Sequence, residues 1–264
     1  MVLLLSSYYL LPLTCDKPLL KLIRKKLNLI ITGTVGIGNS EFREDWLKNV
    51  LMDLPQGKKI LDAGAGESQY KKFCDHLEYT SQDYAVYDGM GDSKGIHKES
   101  RDYSNLDIVS DITSIPVEKG TFDVVMCIEV FEHLPNPIEA LVELDRVLKP
   151  GGKLIMTAPF ASLTHYSPYH YATGFNRYFY EYHLSELDHN LIEIKANGNF
   201  FEFLAQELRR INSISIQYSN KKIGILYKIA INFLLFFIKK SSLENTGSEE
   251  ILNFGYNVIS IKPK

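Results

Sequence analysis

The hydrophobic pattern of the chain changes near residue 58. Upstream, apolar positions recur at helical spacing. PLLKLIRKKLNLII, residues 18–31, reads as a basic amphipathic helix, and TGTVGIGNS, residues 32–40, as a loop. EFREDWLKNVLMDL places Trp46, Leu47, Val50, Leu51 and Leu54 on one helical face, with Ser40 as its cap and Pro55-Gln56-Gly57 as its stop. Downstream, short apolar blocks alternate with polar or periodic ones. KKILDAG, LEYTSQDY, LDIVSDI, FDVVMCIEV and KLIMTAPF read as five strands. ESQYKKFCDHL and PIEALVELDRVL read as helices between them. LIEIKANG extends the series to a sixth strand and GYNVISIKP, residues 255–263, to a seventh. Residues 199–250 hold two helical stretches. Strands alternating with helices predict an α/β protein, doubly wound around a mostly parallel sheet.

Composition narrows the partners. The 264 residues carry a formal charge of -3, so no general nucleic-acid surface is expected. Cys15, Cys74 and Cys127 form no C-x-x-C pair, which favours a reducing compartment, and we expect a cytoplasmic protein. VLLLSSYYLLPL near the N-terminus lacks a basic leader and falls short of the ~20 apolar residues that span a bilayer. It is expected to pack on the fold, with contact to a membrane surface as the alternative. The apolar run at residues 223–238 is bracketed by Lys221, Lys222, Lys239 and Lys240. It predicts a buried helix, a homodimer contact or peripheral association with a membrane.

The chemistry starts at ILDAGAGESQY, residues 60–70. Gly64-x-Gly66 permits close backbone approach to a ligand, but Asp62 would repel a pyrophosphate at the same turn. Unit charges ~4 Å apart interact by roughly 4 kcal/mol at an effective dielectric of 20. The third glycine of a dinucleotide fingerprint is also missing. S-adenosylmethionine, with its sulfonium and ammonium, fits an acidic turn. Asp83, at the end of the second strand, is placed to accept from ribose hydroxyls. Asp111, with Ile112 packing on the ring, is placed to accept from the adenine amino group; a plain helix cap is the alternative for Asp111.

ILDAGAG, Asp83, SDI, FDVVMCIEVFEHL and LKPGGKLIMTAP together resemble the class I S-adenosylmethionine-dependent methyltransferases of the small-molecule branch. The likeness covers residues 42–198 and the last strand. It implies a Rossmann-like seven-stranded sheet in the order 3-2-1-4-5-7-6, the last strand antiparallel. It divides the chain into an N-terminal helical segment, 1–41, and a methyltransferase domain, 42–264, with a helical insertion at 199–250. It assigns the cofactor to Asp62, Gly64, Ala65, Gly66, Asp83, Tyr84, Asp111, Ile112 and Glu129.

Glu129-x-x-Glu132-His133 is similar to a motif of the ubiquinone-pathway O-methyltransferases, where it implies a divalent metal. A packed His133 at a helix start is the alternative, and we expect no metal. The loop after the fifth strand, residues 159–179, lines the acceptor pocket in this fold. His133, His165 and His170 are the expected bases, and Tyr169, Tyr171 and Arg177 the expected substrate contacts. The expected reaction is methylation of a small molecule, a sugar or glycan precursor. A lipid-linked or quinone ring at a membrane surface is a second reading. A non-catalytic cofactor-binding protein and a nucleotide-dependent oxidoreductase stay open.

Overall fold

The computed structural model describes residues 33–92, 94–96 and 101–264. The segments expected at residues 2–13 and 18–31, and Cys15, lie outside the described residues. The elements run α1 (Asn39–Met52), β1 (Lys59–Ala63), β2 (Glu78–Asp83), β3 (Ile108–Val109), β4 (Phe122–Ile128), α2 (Pro137–Val147), β5 (Leu148–Pro159), α3 (Arg177–Glu186), β6 (Asn190–Asn197), α4 (Phe200–Ser219), α5 (Ile225–Leu243) and β7 (Gly255–Ile261).

They form one seven-stranded sheet in the order β3-β2-β1-β4-β5-β7-β6. β1 pairs in parallel with β2 and β4, and β4 in parallel with β5. β7 runs antiparallel between β5 and β6. This is the arrangement that the resemblance implies. Successive strand residues face opposite sides, so the apolar runs feed two cores. Leu61, Val125, Cys127, Leu154 and Met156 pack on one side with Leu141 and Leu144 of α2 and Tyr180 of α3. Ile60, Val124, Met126 and Ile155 pack on the other with Leu47 and Leu51 of α1. Truncating either α1 leucine to alanine costs about 2–5 kcal/mol at such buried sites.

Several local expectations change. α1 starts at Asn39, one residue before the expected cap, and no side chain caps it at Gly38. Asn39 Oδ1 is instead engaged by Asn197 Nδ2 at 3.0 Å, which ties α1 to β6. The helix expected over ESQYKKFCDHL is a turn and a short 3-10 helix, Lys71–Phe73. Ser68 lies in the left-handed region at φ 57°, which interrupts helical winding there. β3 shrinks to two residues, because only Ile108 and Val109 pair with β2. No helix follows Asp111: its Oδ1 accepts from Thr113 N at 2.9 Å and closes a turn.

α4 and α5 lie between β6 and β7 in the chain. Asn199 caps α4 by accepting from Phe201 N and Glu202 N. α5 packs on α4 and on the segment before α1 through Leu235, Ala205 and Val35. Far from the carboxyl ends of the strands, His189 bridges Asp145 Oδ1 (2.9 Å) and Ser260 Oγ (2.8 Å). Ser260 is fully buried in β7. This serine–histidine–aspartate trio therefore acts as a brace.

Candidate active site

The carboxyl ends of β1, β2 and β4 open onto two adjoining cavities of about 420 and 510 Å³. Both are lined by Gly64, Arg101, Glu129, His133 and Tyr166, so they meet there. The turn after β1 is built from backbone constraints. Gly64 (φ 77°) and Gly66 (φ 54°) occupy the left-handed region. A Cβ on Gly64 would lie 2.5 Å from Val130 Cγ2. The amides of Gly64 and Ala65 both donate to Gln82 O, at 2.8 and 2.9 Å. Asp83 Oδ2 accepts from Gly66 N at 2.9 Å and Oδ1 from Ala85 N at 2.8 Å. Each oxygen retains lone-pair capacity for a ligand hydroxyl.

Asp62 is buried at the end of β1 and lines the first cavity. Tyr79 OH donates to its Oδ2 at 2.5 Å. Burial pushes the carboxyl up to about 7; the Tyr79 hydrogen bond opposes this and the charge of Asp83 adds to it. An acid held at that threshold gains from a cation placed beside it. Glu129, just past β4, adopts φ 56°. Its Oε2 accepts from Arg43 Nη1 at 3.1 Å and its Oε1 from Thr157 Oγ1 at 2.9 Å. Tyr84, Asp83, Asp111 and Ile112 line the second cavity, so the residues expected for ribose and adenine converge. The donor set is acidic and the glycine cradle leaves no room for side chains. Both fit a cationic nucleoside, and the acid disfavours a pyrophosphate.

The histidines gather on the other side of Glu129. His133 donates from Nδ1 to Tyr169 O at 2.5 Å, which leaves Nε2 as an acceptor. Burial, then neighbouring His165, hold its pKa down to about 3. His165 donates from Nδ1 to Leu163 O at 2.9 Å and lines the first cavity. Glu132 lies between them, its Oε1 3.6 Å from His133 Nε2 and 3.8 Å from His165 Nε2. Burial and the charge of Glu129 push the Glu132 carboxyl well above its usual range. The three ligand atoms lie within 4.8 Å of one another, a spacing one divalent ion could bridge. Glu129 does not join them, because Arg43 and Thr157 hold it.

Four of the expected residues lie outside the first cavity. His170 lines neither cavity; it lies behind His165 with Nε2 3.0 Å from Ser162 Oγ. Tyr169 and Tyr171 line the second cavity, with Asp83 and His133, and not the first. Arg177 is at the start of α3, paired with Glu181 (2.7 Å) and Glu250 (2.9 Å), and faces a separate surface hollow. Sequence reasoning missed Arg43, Arg101, Phe203, Gln206 and Arg210, all on the first cavity. The helical phase of α1 offered a signal for Arg43. Nothing local marked the α4 residues, since α4 reaches the cavity only through its packing in the fold.

The methyltransferase domain family matches residues 39–216, more than half of the chain. The chain belongs to that family, and its sheet is that of the class I S-adenosylmethionine-dependent methyltransferases. Among curated proteins it is 30% identical over 108 residues to a ubiquinone biosynthesis O-methyltransferase of Actinobacillus pleuropneumoniae serotype 7 (strain AP76), covering 38% of this chain and 45% of that one. It is 29% identical over 112 residues to the Acinetobacter baumannii (strain AYE) protein of the same name, covering 38% and 44%. The chain thus spans less than half the length of these relatives. Among solved structures, the cyclase SpnF superposes with a TM-score of 0.50 at 16% identity, covering 93% of this chain and 94% of that one. That likeness speaks to the fold.

Proposed function

We propose that the chain transfers a methyl group from S-adenosylmethionine to a hydroxyl of a small polar acceptor, with a sugar or glycan precursor as the substrate class. One observation carries this reading. The Asp62–Gly66 turn and the Glu132–His133–His165 cluster face the same cavity. When bound, the cofactor supplies an electrophilic methyl carbon on a cationic sulfonium. Asp62 faces its amino-acid end, and the glycines of the Gly64–Gly66 turn let that end lie close against the backbone. Asp83 takes the ribose, and Asp111, Ile112 and Tyr84 border the base. Glu129 sits where the two cavities join.

On the acceptor side, Phe203 and Phe254 supply apolar walls, and Ser162, Gln206 and Arg210 supply polar ones. A face of rings beside hydrogen-bonding groups suits a sugar. His165 is the base for the acceptor hydroxyl, because its ring lines the cavity and its Nδ1 is already donating. His133, held neutral, orients the hydroxyl through Nε2; a pKa of about 3 makes it a poor proton acceptor at neutral pH. Most of the rate comes from alignment, since breaking the methyl–sulfur bond of a sulfonium releases a neutral thioether, S-adenosylhomocysteine, readily. We read residues 42–264 as one catalytic domain with the insertion at 199–250. We keep the cytoplasm as its site, where the free thiols Cys74 and Cys127 remain reduced.

The second reading is O-methylation of a lipid-linked or quinone ring. The names of the curated relatives favour it. Purified protein, methyl-labelled cofactor and cell extract, followed by mass spectrometry, separate the two. Label in a polar metabolite supports the first reading, and label in the lipid fraction the second. Cofactor binding without labelled product in either fraction would leave a non-catalytic binding protein.

A further inference from the structure

α5 carries a surface that the methyl-transfer reading does not use. Its inner face, with Leu235 1% exposed, packs on Ala205 and Val35. At 100° per residue, positions 226, 233 and 237 lie opposite Leu235. Leu226 is 77% exposed and Phe233 62%, and Ile229, Phe236 and Phe237 are exposed beside them. The ring centroids of Phe233 and Phe237 are 4.9 Å apart, so the phenylalanines form a contiguous aromatic patch. A helix apolar on every side normally has its outer face covered. No helix among the described residues is long and apolar enough to cross a membrane.

Charge selects the occupant. From Leu208 to Leu243 the sequence has no carboxylate, and Lys221, Lys222, Lys228, Lys239 and Lys240 lie on or beside α5. A second copy joined α5 to α5 would set these lysines against their own images. The chain before Gly33, itself beside Lys239, would bring Lys17, Lys21, Arg24, Lys25 and Lys26 against one carboxylate, Asp16. An anionic bilayer surface supplies both an apolar bed and the opposite charge. We propose that the chain docks peripherally on anionic membranes through the outer face of α5. The helix then lies in the interfacial plane, its phenylalanines in the acyl boundary and its lysines at the headgroups. α4, on which α5 packs, also walls the acceptor cavity with Phe203, Gln206 and Arg210. Docking therefore sets that cavity beside the bilayer.

Flotation of the full chain with phosphatidylcholine vesicles, with or without phosphatidylglycerol, tests this. We expect binding to the anionic vesicles, at least ~10-fold weaker binding to the neutral ones, and weakening as salt rises. Leu226→Glu combined with Phe233→Glu is expected to abolish flotation while calorimetric affinity for S-adenosylhomocysteine stays unchanged. If that variant does not fold, Lys221→Gln with Lys222→Gln, both exposed, is expected to weaken flotation roughly 25-fold, at about fivefold per basic residue. Three results would overturn the proposal. One is equal or absent binding to both vesicle types. Another is undiminished flotation of the variants. The third is a concentration-dependent dimer in analytical ultracentrifugation that Phe233→Glu dissolves.

Discussion

Replacing Asp62 by Asn should stabilise the ligand-free protein and cripple cofactor binding. Asp62 is buried, and its carboxyl is raised from 3.8 to about 7, chiefly by burial. At 1.36 kcal/mol per pH unit, the ionised side chain destabilises the fold by ~4 kcal/mol above pH 7. The sign follows from proton binding. Between about pH 4 and pH 7 the folded state holds a proton that the unfolded state has released, so this group's contribution to stability is full below pH 4 and lost as pH rises through 7. Asparagine removes the charge and its Oδ1 still accepts from Tyr79 OH. Its amide N–H groups lack a carboxylate's partners, which costs about 1–3 kcal/mol. A net gain of about 1–3 kcal/mol is therefore expected at pH 8, shrinking or reversing at pH 5.5. Urea unfolding at the two pH values reads it. The same variant should bind S-adenosylmethionine at least 10-fold more weakly. A variant less stable at pH 8 than at pH 5.5 relative to wild type, or one with unchanged affinity, would refute the placing of Asp62.

The same carboxyl predicts proton release when a cationic cofactor binds at pH 6. The calorimetric enthalpy should then vary with the buffer's ionisation enthalpy, and a flat response would detach Asp62 from the ligand. Gly64→Ala should abolish binding and destabilise folding, because φ is 77° and the new methyl lies 2.5 Å from Val130; the left-handed backbone alone costs roughly 1–2 kcal/mol. Once an acceptor is known, His165→Ala should lower kcat by about 10²–10⁴, while His170→Ala changes it far less. Equal losses in both would move the base away from the cavity wall. Treatment with EDTA should leave turnover intact; loss restored by a divalent ion would make Glu132, His133 and His165 metal ligands. Arg177→Ala should leave the acceptor KM unchanged, since its partners are Glu181 and Glu250.

The elements legible in the sequence are those whose neighbours are supplied by repetition. The centres of β1, β4 and β5 are buried on both faces, so Ile60, Leu61, Val124, Val125, Met126, Leu154, Ile155 and Met156 had to be apolar, and the pattern shows them. The ligand turn was legible because positive φ and close approach demand glycine, and a cationic ligand demands an acid. β3 was overread: IVSDI looks like a strand, but the register with β2 admits only Ile108 and Val109. The segment after β1 was overread as a helix because Tyr70, Phe73, Cys74 and Leu77 keep helical spacing, while Ser68 sits in a backbone conformation that the spacing does not report. The acceptor side was least legible. Arg43, Gln206 and Arg210 reach the cavity from helices distant in the chain, and Arg177 was drawn off by carboxylates at Glu181 and Glu250. Leu235, which looked like any member of the apolar run, proves to be its buried anchor.

The most direct measurement is isothermal titration of the full-length chain with S-adenosylhomocysteine and, separately, with NAD. The account predicts a single saturable site for S-adenosylhomocysteine and no saturable heat from NAD. Asp83→Ala should weaken that site by about 1.5–3 kcal/mol, the scale of hydrogen bonds to a charged group. Saturable heat from NAD with none from S-adenosylhomocysteine would contradict the assignment of the cleft.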